Sequence, residues 1–150
     1  MSLNLVRSDV RKLKLANANV SGLGTENLQF SYFKVGEGGW QIVEGTRIPK
    51  TPDSALTDLE SVGSGSQFTF QKSFTAGDLT VKPDGVTEVI CNLDTNEPGL
   101  DGNGLLDGSD PHLYEIAIFD LDDDIVFYGT FNEVVKTAGT PFEFKIDINQ

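Results

Sequence analysis

Aspartate and asparagine side chains cluster in a Gly-rich stretch, residues 94–111, which reads DTNEPGLDGNGLLDGSDP. Closely spaced carboxylate and amide oxygens are the hard ligands that calcium prefers, and glycines let the backbone wrap around the ion. The stretch is therefore a candidate calcium loop, and no other cofactor is expected. Its candidate ligands are Asp94, Asn96, Asp101, Asn103 and Asp107.

The spacing within this stretch departs from that of an EF-hand loop. Counted from Asp101, the sixth position is Leu106 instead of Gly, and the twelfth is His112 instead of Glu. Counted from Asp94, the twelfth position is Leu105. The alternative is a solvated loop without metal, and loops of this length are usually functional or mobile.

A second acidic group follows the most apolar part of the chain. Two carboxylates at a suitable separation can serve as the acid and the base of a glycosidase. Adjacent carboxylates in a turn more commonly face solvent and accept bonds from their own backbone, so the sequence favours a turn over a catalytic pair. The residues of this group are Asp120, Asp122, Asp123 and Asp124.

Other catalytic chemistries lack their residues. His112 is the only histidine, so a serine or cysteine nucleophile would depend on it as its base. The sequence contains no Gly-x-Ser-x-Gly elbow and no phosphate-binding Gly-Lys-Ser/Thr ending. The single cysteine, Cys91, lies in an apolar run typical of a buried strand, and one Cys with one His disfavours zinc. We therefore expect that the protein is not an enzyme.

Composition limits the class of protein and its partners. A chain of 150 residues is about one domain's worth, and it can bury a core without disulfides or metals. The formal charge of −12 repels phosphate backbones and anionic membrane surfaces, so neither nucleic acid nor a membrane is an expected partner. No apolar run approaches the ~20 residues of a membrane span, and the N-terminus lacks the apolar core of a signal peptide.

The stretch that must organise the fold is residues 113–131, LYEIAIFDLDDDIVFYGTF. Two runs rich in β-branched and aromatic residues flank a four-residue acidic segment, which predicts a hairpin. Both alternating faces of each run carry apolar side chains, and this is typical of strands covered on both faces. The sequence therefore predicts a buried central hairpin.

An N-terminal helix is predicted before the first strands. Ser8 or Asp9 would cap it, and Val6, Val10 and Leu13 recur at helical spacing. The alternation of leucine and lysine in the same segment also fits a strand, and this alternative stays open.

Strands are predicted elsewhere where apolar and polar residues alternate between turn signals. Prolines should interrupt regular structure over residues 48–54. A first long loop is expected over residues 51–65, with at most one helical turn at residues 55–59, and the acidic stretch is the second long loop. We expect a single mainly β domain, residues 1–150, with an antiparallel sheet or sandwich of about six or seven strands, a short N-terminal helix and two long loops. Besides the two strands of the central hairpin, the predicted strands are residues 28–35, 68–74, 79–81, 86–93 and 142–148, and the chain can continue into a short strand at residues 40–43.

Three segments in succession resemble a known family. They are FKVGEGG at residues 33–39, YEIAIFD at residues 114–120 and IVFYGTF at residues 125–131. This order is similar to that in the N-terminal attachment domain of bacteriophage tail-fibre and tail-collar fibre proteins. In that family a helix leads to a strand ending in a Val-Gly-x-Gly turn, and a Glu-Ile-Gly/Ala-Ile/Leu-Phe-Asp segment follows after variable loops. The likeness extends over nearly the whole chain.

The resemblance implies a virion structural protein of a phage or prophage, made in the bacterial cytoplasm and located in the tail. Such a module attaches a fibre to the tail or baseplate, commonly as a homotrimer, so its partners would be copies of itself and other tail or baseplate proteins. Fibres of this family continue into a shaft and a receptor-binding tip, whereas this chain stops at Gln150. The expectation is therefore an attachment or baseplate subunit, without a claim to receptor binding.

Three aromatic residues are the candidate assembly contacts, namely Trp40, Phe74 and Tyr128, and each has an alternative interpretation as ordinary core. The alternative function is a calcium-dependent β-sandwich binding module for carbohydrate or peptide, with residues 94–111 holding the ion. A metal-independent oligomer would favour the tail structural protein. A monomer stabilised by calcium would favour the binding module.

Overall fold

The computed structural model describes residues 3–18, 28–61, 69–95, 97, 110–137 and 139–149. Within these residues the chain forms ten strands and one α-helix, with a short 3₁₀ turn at Ala76–Asp78. In chain order the elements are β1 (Leu3–Arg7), α1 (Asp9–Ala18), β2 (Phe30–Gly36), β3 (Trp40–Val43), β4 (Thr46–Pro49), β5 (Thr69–Ser73), β6 (Leu79–Val81), β7 (Thr87–Leu93), β8 (His112–Asp120), β9 (Ile125–Val135) and β10 (Phe142–Ile148).

A five-stranded antiparallel sheet in the order β1-β9-β8-β2-β5 forms the larger layer. At its centre β8 pairs with β9, so that Glu115 lies opposite Thr130 and Ile118 lies opposite Phe127. Every residue of β8 after His112 is buried, and so is the first part of β9. The prediction of a central hairpin buried on both faces is confirmed.

A three-stranded antiparallel sheet in the order β10-β7-β6 packs against one face of the larger sheet. The rings of Phe131 and Phe144 meet between the two layers with centroids 4.9 Å apart. The mainly β, antiparallel fold expected from the sequence is confirmed, with the two sheets arranged as a sandwich. The shared core consists of Phe30, Phe33, Val35, Val89, Cys91, Leu93, Leu113, Ile116, Ile118, Val126, Phe127, Phe131, Phe144, Ile146 and Ile148.

The opposite face of the larger sheet is covered by irregular chain and by the N-terminal segment. Tyr32 and Phe119 stack there with ring centroids 4.9 Å apart, and Leu59 packs beside them with 3% of its surface exposed. Val6 and Leu56 close the edge of this smaller cluster. The larger sheet is thus the middle layer of the molecule, which explains why β8 has no polar face.

Strands β3 and β4 form a hairpin that pairs with no other strand of the described chain. Its turn residues Glu44 and Gly45 have φ of 52° and 78°, the left-handed geometry of tight two-residue hairpins. Ile42 and Val43 remain 62% and 45% exposed. We call residues 40–49 the arm.

The N-terminal helix is confirmed, but its buried face is not the predicted one. The Ser8 hydroxyl accepts the Arg11 amide hydrogen at 3.0 Å, which satisfies a free donor of the first turn. Leu13 is 62% exposed, whereas Arg11 and Lys14 are 2% and 6% exposed. The helix therefore packs through its cationic side chains, and apolar spacing pointed to the wrong face.

Two strands were not predicted. Val6 belongs to β1, an edge strand, rather than to the helix. Ile48 and Pro49 end β4, although regular structure was expected to stop there. Proline is tolerated at the edge of a sheet because no neighbouring strand needs its missing N–H, so the prediction of a break at residue 48 was wrong.

The side-chain alternation of the central hairpin is interrupted. The pairing of β8 with β9 shifts between Leu113 and Glu115 and again between Ile118 and Phe119. As a result, Val126 and the adjacent Phe127 both enter the main core, which strict alternation does not allow.

Candidate functional site

A buried carboxylate lies on β8, in the middle of the larger sheet. Glu115 is 0% exposed, and its Oε1 accepts the Glu60 amide hydrogen at 2.7 Å. Its Oε2 accepts the Ser61 amide hydrogen at 3.2 Å. The Tyr128 hydroxyl donates to Oε1 at 3.3 Å. Neutral donors from two separate parts of the chain therefore solvate this carboxylate in place of water.

The end of β2 and the turn that follows it, residues 36–39, lie closely around this carboxylate. A Cβ on Gly38 would lie 2.3 Å from Glu115 Oε2 and 2.7 Å from the Ser61 amide nitrogen. Gly39 has φ of +83°, and a Cβ there would lie 2.9 Å from the Tyr128 hydroxyl oxygen. The glycines are thus required by close approach to Glu115 and its partners, as well as by the turn itself.

Burial decides the protonation behaviour of this network. Loss of hydration raises the pKa of Glu115, although the backbone donors at Glu60 and Ser61 oppose that rise. Burial, followed by the nearby charge of Glu115, raises the pKa of Tyr128. The network has no exposed oxygen at Glu115 to offer a substrate, so its role is to hold the segments around β8 together.

A second polar cluster lies at the other end of β8, where α1 meets the acidic turn. The Lys14 ammonium is 2.8 Å from Asp120 Oδ2, 3.1 Å from Asp122 Oδ2 and 2.8 Å from Asp124 Oδ2. The Lys14 side chain is only 7% exposed. We call these four residues the ammonium cage.

Asp120 is the buried anchor of the cage, with 1% of its surface exposed. Its Oδ1 accepts the amide hydrogens of Asp122 at 2.9 Å and Asp124 at 3.1 Å, while its Oδ2 accepts from Lys14. One carboxylate therefore shapes the turn and binds the helix. The expected acidic turn is present and Asp120 accepts hydrogen bonds from its own backbone as expected, but it is buried instead of facing solvent.

The carboxylate oxygens of Asp120, Asp122 and Asp124 lie within 4.8 Å of one another, close enough to surround a cation. The lysine ammonium already fills that position. Burial alone would lower the pKa of Lys14, but its bonds to the three carboxylates outweigh burial and raise the pKa. A lysine held in its charged form is a counter-ion rather than a nucleophile.

Sequence reasoning missed Lys14 because a lysine on a short helix is normally solvated. The available signal was the spacing of Arg11 and Lys14, three positions apart and hence on one face of α1. An acidic turn elsewhere in the chain could have suggested a partner, but nothing in the sequence indicated that α1 packs against it.

Trp40, at the base of the arm, lies in a half-buried aromatic cluster. Its indole N–H donates to the Glu37 carbonyl oxygen at 2.7 Å. The Arg47 guanidinium lies 4.1 Å from the centre of the Trp40 ring and 5.8 Å from that of Tyr114. This stacking joins the arm to β8.

The only histidine lies beside this cluster. His112 Nδ1 is 3.3 Å from Glu133 Oε2, and the same oxygen accepts a short hydrogen bond from the Tyr114 hydroxyl. Tyr114, and then His112, lower the pKa of Glu133 through these bonds. Glu37 accepts the His112 amide hydrogen at 2.9 Å. These contacts fix the start of β8 against the turn after β2.

The three candidate assembly residues differ in their surroundings. Tyr128 is 2% exposed and Phe74 packs against the main core, with its ring 5.7 Å from that of Phe33. Both therefore match the alternative interpretation as core residues. Trp40 is the one that stands near exposed surface.

The calcium hypothesis stays a prediction. Asn96, Asp101, Asn103 and Asp107 lie outside the described residues. Asp94 is described, and its carboxylate pairs with the Lys72 ammonium at 3.1 Å, which lowers the pKa of Asp94.

No protein-family model, curated protein or solved structure matches this chain. Within the described ranges, no helix has the length and apolar character needed to cross a membrane.

Proposed function

We propose that this chain is a structural module of a phage or prophage tail, of the tail-fibre, tail-collar or baseplate attachment class, and that it acts by forming homo-oligomers. The observation that carries the proposal is the meeting of the segments on which the family resemblance rests. Residues 33–39 and residues 114–131 are far apart in sequence, yet Glu115 and the turn after β2 form one buried network.

This meeting makes the residue types of one segment depend on the other. Gly38 has no space for a Cβ because Glu115 and Ser61 lie against it. Glu115 in turn depends on the donors of Glu60, Ser61 and Tyr128, since a buried carboxylate without partners is strongly unfavourable. Close packing of this kind is expected of motifs that share one domain core, and it is consistent with the resemblance.

An assembly role also fits the distribution of exposed groups. Glu115 and Asp120 are 0% and 1% exposed, so both buried carboxylates act within the chain. The arm instead presents Ile42 and Val43 to solvent. These two residues are consecutive on β3 and therefore lie on opposite faces of the hairpin, and exposed apolar side chains on both faces are compatible with a surface that another protein covers.

Light scattering over a wide concentration range, with and without a chelator, tests the proposal. We expect a trimer of the 16.3 kDa chain whose mass and melting temperature do not change on chelation. A monomer whose melting temperature falls on chelation would contradict the proposal and favour the calcium-dependent binding module, because a bound ion stabilises the folded state by mass action.

A second experiment tests the location. Antibodies against the chain should label the tails of phage particles released from the strain that carries the gene. Intact tails without label, from particles whose other tail proteins are detected, would contradict a virion role.

A further inference from the structure

Residues 51–59 cross the face of the larger sheet that is turned away from the three-stranded sheet, and we call them the lid. Residues 51–58 belong to no helix or strand, and of residues 51–59 only Leu59 is buried. Leu59 and the partly buried Leu56 pack on the small apolar cluster of this face. The lid therefore covers the cluster with two side chains and adds no strand to the sheet.

The two ends of the lid are held at neighbouring points of the central hairpin. The Thr130 hydroxyl donates to the Lys50 carbonyl oxygen at 2.6 Å. Glu115, which lies opposite Thr130 in the sheet, accepts the Glu60 amide hydrogen at 2.7 Å. The Lys50 ammonium is also 3.3 Å from Glu60 Oε1. A surface segment of this length with its ends close together is an Ω-loop, a class that is frequently functional. We call Lys50 and Glu60 the neck.

The lid itself is tied down less firmly than the neck. The Asp9 amide hydrogen, in the first turn of α1, bonds the Ser54 carbonyl oxygen at 2.9 Å. The Lys34 ammonium is 3.2 Å from Asp58 Oδ1, and the two side chains are 19% and 34% exposed. Partly hydrated ion pairs of this kind add little stability. Opening the lid therefore breaks one backbone hydrogen bond and one weak ion pair, besides the contacts of its two leucines.

The sheet beneath the lid does not depend on it. β8 pairs with β2 on one side and with β9 on the other, and the main core covers the far face of these strands. The lid can leave without breaking any strand pair. Segments with few buried apolar contacts open locally, at a lower free energy than the domain as a whole.

We propose that the lid opens away from the sheet as one unit while the neck stays closed, and that this opening uncovers the stacked rings of Tyr32 and Phe119. The Lys34 ammonium lies 5.0 Å from the centre of the Phe119 ring, so the open state presents two aromatic rings beside an ammonium released from Asp58. This opening is a property of a single chain, and it is independent of the proposed assembly in a tail.

Hydrogen exchange of the wild-type protein, followed by NMR at low urea concentrations, tests the opening without any substitution. The Asp9 amide hydrogen is bonded to Ser54 of the lid, whereas the Lys12 amide hydrogen, in the same turn of α1, is bonded to the Ser8 carbonyl oxygen. After correction for intrinsic rates, we expect Asp9 to exchange faster than Lys12 and Glu60 by roughly tenfold or more, at a rate that urea hardly changes.

A thiol beneath the lid provides a second measurement. Ala117 is 1% exposed and belongs to the small cluster under the lid, while the native Cys91 is 0% exposed in the main core on the other face. In an Ala117→Cys chain under native conditions, a thiol-reactive reagent should label the new thiol roughly tenfold or more faster than Cys91, because the new thiol needs only local opening. Mass spectrometry of the peptides measures both rates in the same molecule.

Loosening the lid should raise only one of these rates. In the Ala117→Cys chain, Asp58→Asn removes the ion pair with Lys34 and should speed labelling of the new thiol about two- to fivefold. The matched control is Asp147→Asn, which removes an aspartate paired with Lys82 at 3.0 Å in the three-stranded sheet. It should leave that rate unchanged.

Three results would overturn the lid. They are exchange of Asp9 together with Lys12 in one urea-dependent opening, labelling of the new thiol no faster than Cys91, and equal acceleration by Asp58→Asn and Asp147→Asn. Exchange of Glu60 as fast as Asp9 would overturn the closed neck. If the Ala117→Cys chain does not fold, the exchange rates of the wild-type protein decide alone.

Discussion

Glu115 and Asp120 lie on the same strand, five positions apart, and are almost fully buried, yet the chain satisfies them by different means. Glu115 is surrounded by neutral N–H and O–H donors. Asp120 has two backbone donors and the Lys14 ammonium. Glu115 is therefore stabilised by several hydrogen bonds of modest strength. Asp120 depends mainly on the opposite charge of Lys14.

This difference predicts how much stability is lost when a partner of each carboxylate is removed. Removing a buried counter-ion leaves an uncompensated charge, which is among the most costly single changes in a protein. Removing one neutral donor leaves the others in place and costs about 1–3 kcal/mol. Each carboxylate also binds a different segment to the sheet, Asp120 the helix α1 and Glu115 the chain at residues 60–61.

The largest expected effect comes from Lys14→Met, which keeps most of the side-chain volume and removes the charge. Asp120 would stay buried without its ammonium, and we expect the free energy of unfolding to fall by about 3–5 kcal/mol. Urea denaturation of wild type and variant measures this free energy of unfolding. The matched control is Lys12→Met, whose ammonium is exposed and pairs with Asp9 at 3.7 Å, with an expected loss of about 0.5 kcal/mol or less.

Adding Asp120→Asn to Lys14→Met should recover part of the loss, since the unpaired charge is then gone. If Lys14→Met and Lys12→Met cost the same, the cage is not a stabilising unit and the comparison between the two carboxylates fails.

The next largest effect tests the packing around Glu115. Gly38→Ala would place a Cβ 2.3 Å from Glu115 Oε2 and 2.7 Å from backbone, and forced overpacking costs about 1–3 kcal/mol. Gly77→Ala is the control, because nothing lies within 4 Å of a Cβ there. Thermal unfolding of the two variants should separate them. Equal melting temperatures would mean that the turn after β2 moves freely away from β8.

Glu115→Gln keeps the shape of the side chain and replaces one acceptor with an NH₂ donor. The amide would face the donors of Glu60, Ser61 or Tyr128, so one buried donor loses its partner, at about 1–3 kcal/mol by denaturant titration. We expect a smaller loss than for Lys14→Met. A larger loss would reverse the order that the comparison predicts.

A smaller effect is expected from the tyrosine at each end of β8. Tyr128→Phe removes a buried donor to Glu115, and Tyr32→Phe removes a partly exposed donor to Asp123 at 3.0 Å. Hydrogen bonds of this kind contribute about 1 kcal/mol, with the buried one worth more. Burial and then Asp123 raise the pKa of Tyr32 to about 12, so ultraviolet titration of Tyr32→Phe should lose a late-titrating hydroxyl.

The smallest effect is a change of these differences with pH, which has the same sign at the two sites but occurs at acid pH for Glu115 and at alkaline pH for Lys14. The pKa of folded Glu115 is raised above 4.5, so wild type gains stability over Glu115→Gln as pH falls through the folded value toward 4.5. The pKa of folded Lys14 is raised above 10.5, so its advantage over Lys14→Met is complete below pH 10.5 and is lost as pH rises through the folded value. Denaturant titrations across pH would contradict this if both gaps stayed constant.

Much of the fold could be predicted from the local alternation of apolar and polar side chains. The two runs of residues 113–131 have apolar side chains on both faces, and they became the central strands of a sheet covered on both sides. The regular alternation of residues 142–148 gave β10, with Phe144, Ile146 and Ile148 buried and the charged residues between them exposed. These predictions succeed because burial on a strand depends only on period and side-chain type.

Other predictions failed where short elements depend on their neighbours. β1 has only five residues, Leu3–Arg7, and it is a strand because each of them pairs with a residue of β9. β4 contains Pro49, which local rules treat as a break, and it is stable as an edge. No local pattern specifies which strand will be available to pair.

The sequence by itself determined that the chain is mainly β, that residues 113–131 are its centre and that an acidic turn joins the two central strands. Only the tertiary structure decided what the polar residues do. Lys14 meets Asp120 across 106 positions, and Glu60 meets Glu115 across 55. In β10 periodicity showed which side chains are buried, but in α1 it did not, and the partner of a buried charge is set by which elements pack together, which is not local information.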